Sequence, residues 1–375
     1  VFDFEPEVGD LKVTKFNDNS LKDRVSLSTW GVNGRLGALD LIYTGSFLKH
    51  RATQVADYAG YSNIGLYLPY YECDRGVYYT AAYNGNIGNT CYAPSKSYQV
   101  RNRTERMTHE FRVTTPADKR LRGTFGLFYD DNKLFDNTDW SYLQQAAGFI
   151  YRRAPNTSVN ANDKSVRSVN VGFFNDIQRK DKQFAAYGEA SFDIVPDKLT
   201  FTGGLRYYDE KASINGSSNG SFGGARGVYN ATTGTYSAGT TPPTTYNVSA
   251  NLNVLYAAAS PAKYNGTLYK ANLTYRLNDT SLVYATYSDG FRPGGFNRKP
   301  CNVGSATCPT NADFVRLGTY VPDKVQNYEI GGKFSLLDRR LQVNFAAYQI
   351  DWSNIQITLF DQNISNQTFT TNLVD

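Results

Sequence analysis

Two histidines, four cysteines and a few carboxylate pairs are the residues in this 375-residue chain best equipped for chemistry. A hydrolase needs a base held against a nucleophile, and neither His50 nor His109 lies beside a G-x-S-x-G turn or an equivalent setting. The carboxylate pairs Asp130 with Asp131 and Asp209 with Glu210 fall at the predicted ends of strands, where solvated charge is the plain reading. No catalytic residue is assigned, and the chain reads as a non-enzyme. Cys73 with Cys91 and Cys301 with Cys308 form two local pairs inside Tyr-, Asn- and Gly-rich segments, which points to two loop disulfides in an oxidising compartment. Neither pair has C-x-x-C spacing and both histidines lie far off in sequence, so no metal and no cofactor are expected. The glycine-rich run 216–227 (GSSNGSFGGARG) lacks the Lys-Ser/Thr ending of a phosphate loop and reads as a mobile loop.

Charge and hydropathy narrow the class. A net charge of +5 is spread along the chain, too little to argue for nucleic acid. The densest basic stretch, from Arg101 through Arg103, Arg106 and Arg112 to Arg122, is broken by Glu105 and Glu110 and reads as a solvated strand face. No run approaches the ~20 apolar residues of a membrane helix, and the mean hydropathy is −0.48. A membrane β-barrel stays open, because its strands show lipid only every second residue.

The elements that must carry these residues are strands. Along 184–194, Phe184, Ala186, Gly188, Ala190, Phe192 and Ile194 alternate with Glu189, Ser191 and Asp193. Leu199, Phe201, Gly203, Leu205 and Tyr207 alternate with Thr200, Thr202 and Arg206, and Ile330, Gly332, Phe334 and Leu336 with Glu329, Lys333 and Ser335. That period of two is the mark of a strand with one apolar and one polar face. Tight turns at GRLG (34–37), PADK (116–119), PDK (196–198), LNDT (277–280) and DRR (338–340) pair them into hairpins. The expected strands are 22–33, 37–49, 103–115, 119–130, 181–195, 198–211, 263–277, 280–292, 323–337 and 340–360, with 368–375 opening another.

Between hairpins run long connections, 50–102, 131–180, 212–262 and 293–322. Compact soluble domains seldom carry several such loops, whereas transmembrane barrels alternate short turns at one end with long loops at the other. Lipid offers no partner for backbone N–H and C=O groups, so only a closed barrel satisfies them. The fold class is therefore all-β, a transmembrane antiparallel barrel. Tyr43, Phe47, Tyr207, Tyr208, Tyr284 and Tyr287 either form interfacial aromatic girdles or pack within the strands. Ten or eleven strands leave two edges open, so the expectation is a fragment, roughly half of a barrel.

The segment YATYSDGFRPGGFNR, residues 284–298, resembles the TonB-dependent outer-membrane receptors, particularly their iron-complex class. Residues 37–51, 184–211 and 328–357 are similar to hairpins of that barrel. The resemblance implies a barrel of about 22 strands with a plugged lumen, of which residues 1–375 would form part of a single domain, with the plug and the closing strands outside it. It further implies a Gram-negative outer-membrane location, energy from TonB, contact with outer-membrane lipid and lipopolysaccharide, and import of a scarce nutrient, with a ferric siderophore as the expected ligand. Cobalamin, haem, nickel complexes and oligosaccharides use the same architecture. A passive porin is the nearest rival, though five hairpins already fill this chain; a secreted β-sandwich is the third reading.

Pro293 ends strand pairing by removing a donor, and Gly294 and Gly295 are expected to adopt backbone angles closed to other residues. Arg292, Asn297, Arg298 and Tyr320 then have two readings. Either they face the vestibule, where guanidinium groups and an aromatic ring suit an anionic iron complex, or they only shape the strand exit.

Overall fold

The structure, a computed structural model, describes residues 10–12, 15, 17–58, 70–73, 76–79, 91–92, 96–142, 171–220, 228–230, 235–237, 248–298, 301, 308–359 and 368–373. Ten long strands follow one another in sequence order through a single antiparallel sheet: β1 Ser20–Leu36, β2 Leu39–Asp57, β3 Lys96–Thr114, β4 Leu121–Tyr142, β5 Val171–Val195, β6 Leu199–Gly220, β7 Ala262–Asn278, β8 Ser281–Arg292, β9 Asp323–Leu336 and β10 Leu341–Ser353. An eleventh, Val248–Asn251, adds to the far end of β6. The result is an open, partial barrel wall whose edges are β1 and β10.

Register sorts the side chains onto two faces. Leu121, Phe192, Phe201, Leu273, Ala285, Ile330 and Ala347 lie in one cross-strand row on the outward face. Higher rows bring Phe125, Gly188, Leu205 and Tyr269 together, then Leu127, Ala186 and Tyr207. These large apolar groups are exposed, as a lipid-facing surface requires. On β4 the apolar band covers residues 121–129, the length a tilted strand needs to cross the hydrocarbon. Its upper margin carries Trp30, His109, Tyr129 and Phe184 in one row. His109 is a girdle residue here, stacked on Tyr43 and Tyr129 and hydrogen-bonded with the Tyr43 hydroxyl at 2.8 Å.

The inward face pairs its polar groups with one another. Arg122 grips Asp193 through two bonds of 2.6 and 2.8 Å, Tyr187 donates to Glu110, and the hydroxyls of Ser191 and Thr202 meet at 2.8 Å. Arg101 and Arg103 face outward above the band whereas Arg106 and Arg112 face inward, so the basic stretch is divided between two faces instead of lining one.

Several expectations are corrected. The long loops are shorter than expected, because β5 runs for 25 residues and β4 and β6 for 22 each, well past the lipid band. Tyr208 and Tyr284 are not girdle groups. Tyr208 is buried on the inner face, its ring 3.9 Å from that of Phe291, and Tyr284 turns inward to donate to Glu329. The segment 340–360 is two strands: β10 stops at Ser353, Asn354 takes φ 51°, and Gln356–Leu359 pairs with Phe369–Asn372 as a small rim hairpin. The reason is local, since a left-handed residue turns the chain off the β9 edge. The proposed Cys73–Cys91 bond depends on side chains outside the described residues, though the two backbones face each other in register.

The buried apolar cluster sits at the long-loop end. Ile177 and Ile214 from the tops of β5 and β6 meet Leu252 and Tyr256, Phe296, the Cys301–Cys308 disulfide and Phe314. Two helices build it, α1 Leu252–Leu255 and α2 Asn311–Gly318. Helix α2 begins with a capping box: the Thr310 side chain accepts the Asp313 N–H, and the Asp313 carboxylate accepts from Thr310. The connection 293–322 therefore holds a helix and a packed core where a plain loop was expected.

Candidate functional site

The chain leaves the membrane wall at Arg292 and is tied at once. Both oxygens of Asp323, at the start of β9 and fully buried, accept from Arg292: Oδ1 from the backbone N–H at 3.0 Å, Oδ2 from Nε at 2.7 Å and from Nη2. The Gln356 N–H reaches the same Oδ2, and Arg292 returns a bond to the Gln356 carbonyl at 3.1 Å while its guanidinium lies 4.8 Å over the Trp352 ring. Burial alone would raise the Asp323 carboxyl, but the bonds from Arg292 and Gln356 hold it below the ordinary carboxylate range.

Gly294 and Gly295 are needed for space, not for unusual angles, since neither has a positive φ. A Cβ on Gly294 would lie 2.6 Å from the Tyr264 ring, and one on Gly295 2.5 Å from the Tyr320 hydroxyl. That close approach lets Gly295–Phe296 pair with Thr319–Tyr320.

Asn297 is buried and fully engaged. Its amide donates to the Thr370 carbonyl and accepts the Thr370 N–H, both at 2.7 Å, stitching the rim hairpin to the cap. Tyr256 donates to the carbonyls of Asn297 (2.7 Å) and Gly318 (3.1 Å), and burial pushes its phenol above the usual range. The Gly318 carbonyl also accepts the Asn297 N–H, so Tyr256→Phe strands one carbonyl, that of Asn297. The expected cost is about 1–2 kcal/mol, read as faster hydrogen exchange in 296–298 and 311–318 with the rest of the sheet unchanged.

Beneath this rim, on the inner face at the upper margin of the apolar band, lies a cleft of about 630 Å³. Arg292 and Tyr320 line it, together with Phe296 and Gln356; Asn297 and Arg298 do not, and Arg298 lies over the Trp140 ring at 5.7 Å. The floor comes from Arg179, Asp181, Gln183 and Arg206, strand residues that the sequence pattern did not single out for the site, and from Glu210, which was expected to be a solvated strand-end carboxylate and is buried instead. Arg206 donates to Gln183 at 2.9 Å and lies 5.1 Å over the Phe128 ring, and Arg179 donates to the Phe296 carbonyl at 2.7 Å. Neither arginine has a carboxylate ion-pair partner among the described residues, whereas Arg106 is spent on Asp130 at 2.7 Å. Burial, with Asp181 and Asp130 nearby, pushes Glu210 up to about 7 despite a bond from Gln183. The cleft therefore offers two open guanidinium groups between aromatic rings, against a carboxyl that is half neutral near pH 7. That is a site for an anion with flat, polarisable groups. Among the described residues no cluster of His, Cys, Asp or Glu is arranged to hold a metal ion, and no helix is long and apolar enough to cross a membrane.

Comparison with known proteins agrees with this architecture. The family model described as "TonB dependent receptor-like, beta-barrel" matches residues 8–374. A curated relative, the catecholate siderophore receptor Fiu of Escherichia coli K12, is 28% identical over 178 residues, which cover 46% of this chain and 20% of that protein. Among solved structures, the ferric yersiniabactin uptake receptor FyuA of Yersinia pestis superposes with a TM-score of 0.57 at 12% identity, covering 91% of this chain and 38% of that one. The closed form of Fiu from E. coli K12 superposes with a TM-score of 0.51 at 14% identity, covering 92% and 43%. At these identities the likeness is one of fold, and the chain spans well under half the length of each.

Proposed function

Since the chain belongs to the TonB-dependent receptor-like β-barrel family, we propose that it forms part of the wall of an outer-membrane receptor that imports an anionic ferric siderophore with energy passed through TonB. The observation that carries this reading is the cleft itself, where Arg179 and Arg206 have no carboxylate ion-pair partner among the described residues and stand beside Phe128 and Phe296 under a hydrogen-bonded rim. A siderophore complex supplies the matching chemistry, negative charge on a rigid body with planar faces. The 28% identity to a catecholate siderophore receptor points the same way. On this reading the open edges β1 and β10 pair with further strands in the membrane, because lipid leaves their N–H and C=O groups without partners.

The test is labelled uptake by iron-limited cells carrying the full-length parent gene, with and without an intact TonB system. Ferric siderophore uptake that disappears without TonB is the expected result. Uptake indifferent to TonB would make the protein a passive pore, and TonB-dependent uptake of a sugar or cobalamin alone would overturn the ligand.

A further inference from the structure

One carboxylate in the cleft is left out of the pairing that engages the others. Asp181 stands on the inner face of β5, lines the cleft, and has neither a hydrogen bond nor an ion pair among the described residues. Its neighbours are occupied: Asp130 holds Arg106 at 2.7 Å, Asp323 holds Arg292, and Glu210 takes a bond from Gln183 at 3.3 Å. Arg179 lies on the same face of β5, about 7 Å along the strand, yet its guanidinium turns to the Phe296 carbonyl at 2.7 Å. No lysine of these strands stands in for it, because Lys133, Lys180, Lys182 and Lys211 point outward by parity, Lys180 and Lys182 toward Asp131.

Asn132 is paired directly across from Asp181 on β4 and also lines the cleft. Its Oδ1 is buried and has no hydrogen-bond partner among the described residues. The spot therefore holds two acceptors and no donor. Burial raises the Asp181 carboxyl above its ordinary range, although Arg179 pulls the other way. Unmet acceptors at this depth are costly, and a group with a positive charge and several N–H donors satisfies both. On either side stands a guanidinium with no carboxylate ion pair among the described residues: Arg179 above, and below it Arg206, which reaches up to Gln183 at 2.9 Å. Along this wall the charges run cation, anion, cation.

We propose that Asp181 and Asn132 form an ammonium subsite and that the imported complex is a zwitterion, its anionic iron-binding oxygens against Arg179 and Arg206 and a protonated amine of its backbone on Asp181. This deepens the siderophore reading above and rests on it. The chemistry limits the amine to a primary or secondary one, since an acylated nitrogen brings no charge to Asp181 and a quaternary one no hydrogen to Asn132. The preference runs against net charge. A complex with its amine free is less negative than its acylated form, so a cleft acting only through its arginines would choose the acylated one.

The experiment is calorimetric titration of the full-length receptor in detergent micelles with two probes, a synthetic ferric tris-catecholate whose backbone carries one primary amine and the same complex N-acetylated. The wild type should bind the free amine about 10-fold more tightly. Asp181→Asn should reverse that order, weakening the free amine about 10-fold and tightening the acetylated complex, because a negative charge leaves the cleft. Asn132→Ala keeps every charge and should narrow the preference without reversing it. Comparing the two probes on the wild type needs no variant, so that result stands even if a substitution disturbs the wall. Equal affinity for the two probes, or a preference for the acetylated one, would overturn the ammonium subsite and leave the siderophore reading standing. Equal weakening of both probes by Asp181→Asn would overturn it as well, reducing Asp181 to a structural part. Binding of neither probe by the wild type would overturn the siderophore reading itself, and this inference with it.

Discussion

Asp323→Ala should release the rim, at a cost on the order of 3 kcal/mol. The carboxylate is fully buried and is the shared acceptor of the knot: it takes the Arg292 backbone N–H, two guanidinium donors and the Gln356 N–H. Alanine leaves two backbone donors without a partner inside the protein, and an unpaired buried polar group is expensive. The guanidinium is about half exposed and recovers water, which keeps the loss below that of a fully buried pair. Hydrogen exchange of the full-length protein should rise sharply in 292–297 and 353–357 and hardly at all in 121–129. Asp323→Asn keeps the volume and one acceptor oxygen, so it should cost less. The pH dependence has a definite sign. A carboxyl held below its unfolded value contributes stability above that value and loses it as pH falls through the lowered one. Rim protection should therefore be flat from about pH 5 upward and fall only in stronger acid. Exchange at the rim that matches the wild type in Asp323→Ala would show that the knot holds nothing.

The same residues show what the sequence made legible and what it hid. Within the lipid band the outward side chains answer to one solvent, so Leu199, Phe201, Leu205 and Tyr207 announce their strand by parity alone. Past the band both faces meet water. Residues 131–142 and 171–180 are rich in Asp, Asn, Lys and Arg at either parity, yet their backbones stay paired along β4 and β5. Pairing in water leaves no period-2 trace, and those segments read as loop. Tyr207 and Tyr208 illustrate a finer point: adjacent residues in a strand face opposite ways, so at most one of them belongs to a girdle. Helix α2 did leave a signal, Thr310 followed by Asp313, inside a connection that looked like loop throughout. At the site, the F-R-P-G-G-F-N stretch lies where β8 ends, but the partner of Arg292 lies 31 residues away at Asp323, and the cleft floor comes from β5 and β6. Only strand register joins Arg179, Arg206 and Glu210, and register depends on which strands pair.

Arg206→Ala should weaken binding of an anionic ferric siderophore by about 10- to 100-fold, the worth of one charge-assisted hydrogen bond in a partly desolvated cleft. Arg206 is held over Phe128 and by Gln183 with no carboxylate ion-pair partner among the described residues, so its positive charge is available to a ligand. Arg106→Ala removes a charge already spent on Asp130 and should do much less. The contrast separates a specific contact from a general loss of positive field. Glu210 then sets the pH response. Its carboxyl titrates at about 7, so raising the pH through that value adds a negative charge to the cleft wall and weakens an anion's binding. Affinity should fall several-fold between about pH 6 and pH 8, and Glu210→Gln should hold the low-pH affinity across the whole range. Calorimetric titration of the full-length receptor with a ferric siderophore at the two pH values reads both effects. If Glu210→Gln keeps the wild-type pH slope, the titrating group lies elsewhere; if Arg206→Ala and Arg106→Ala weaken binding equally, the cleft acts through its overall charge and not through the open guanidinium.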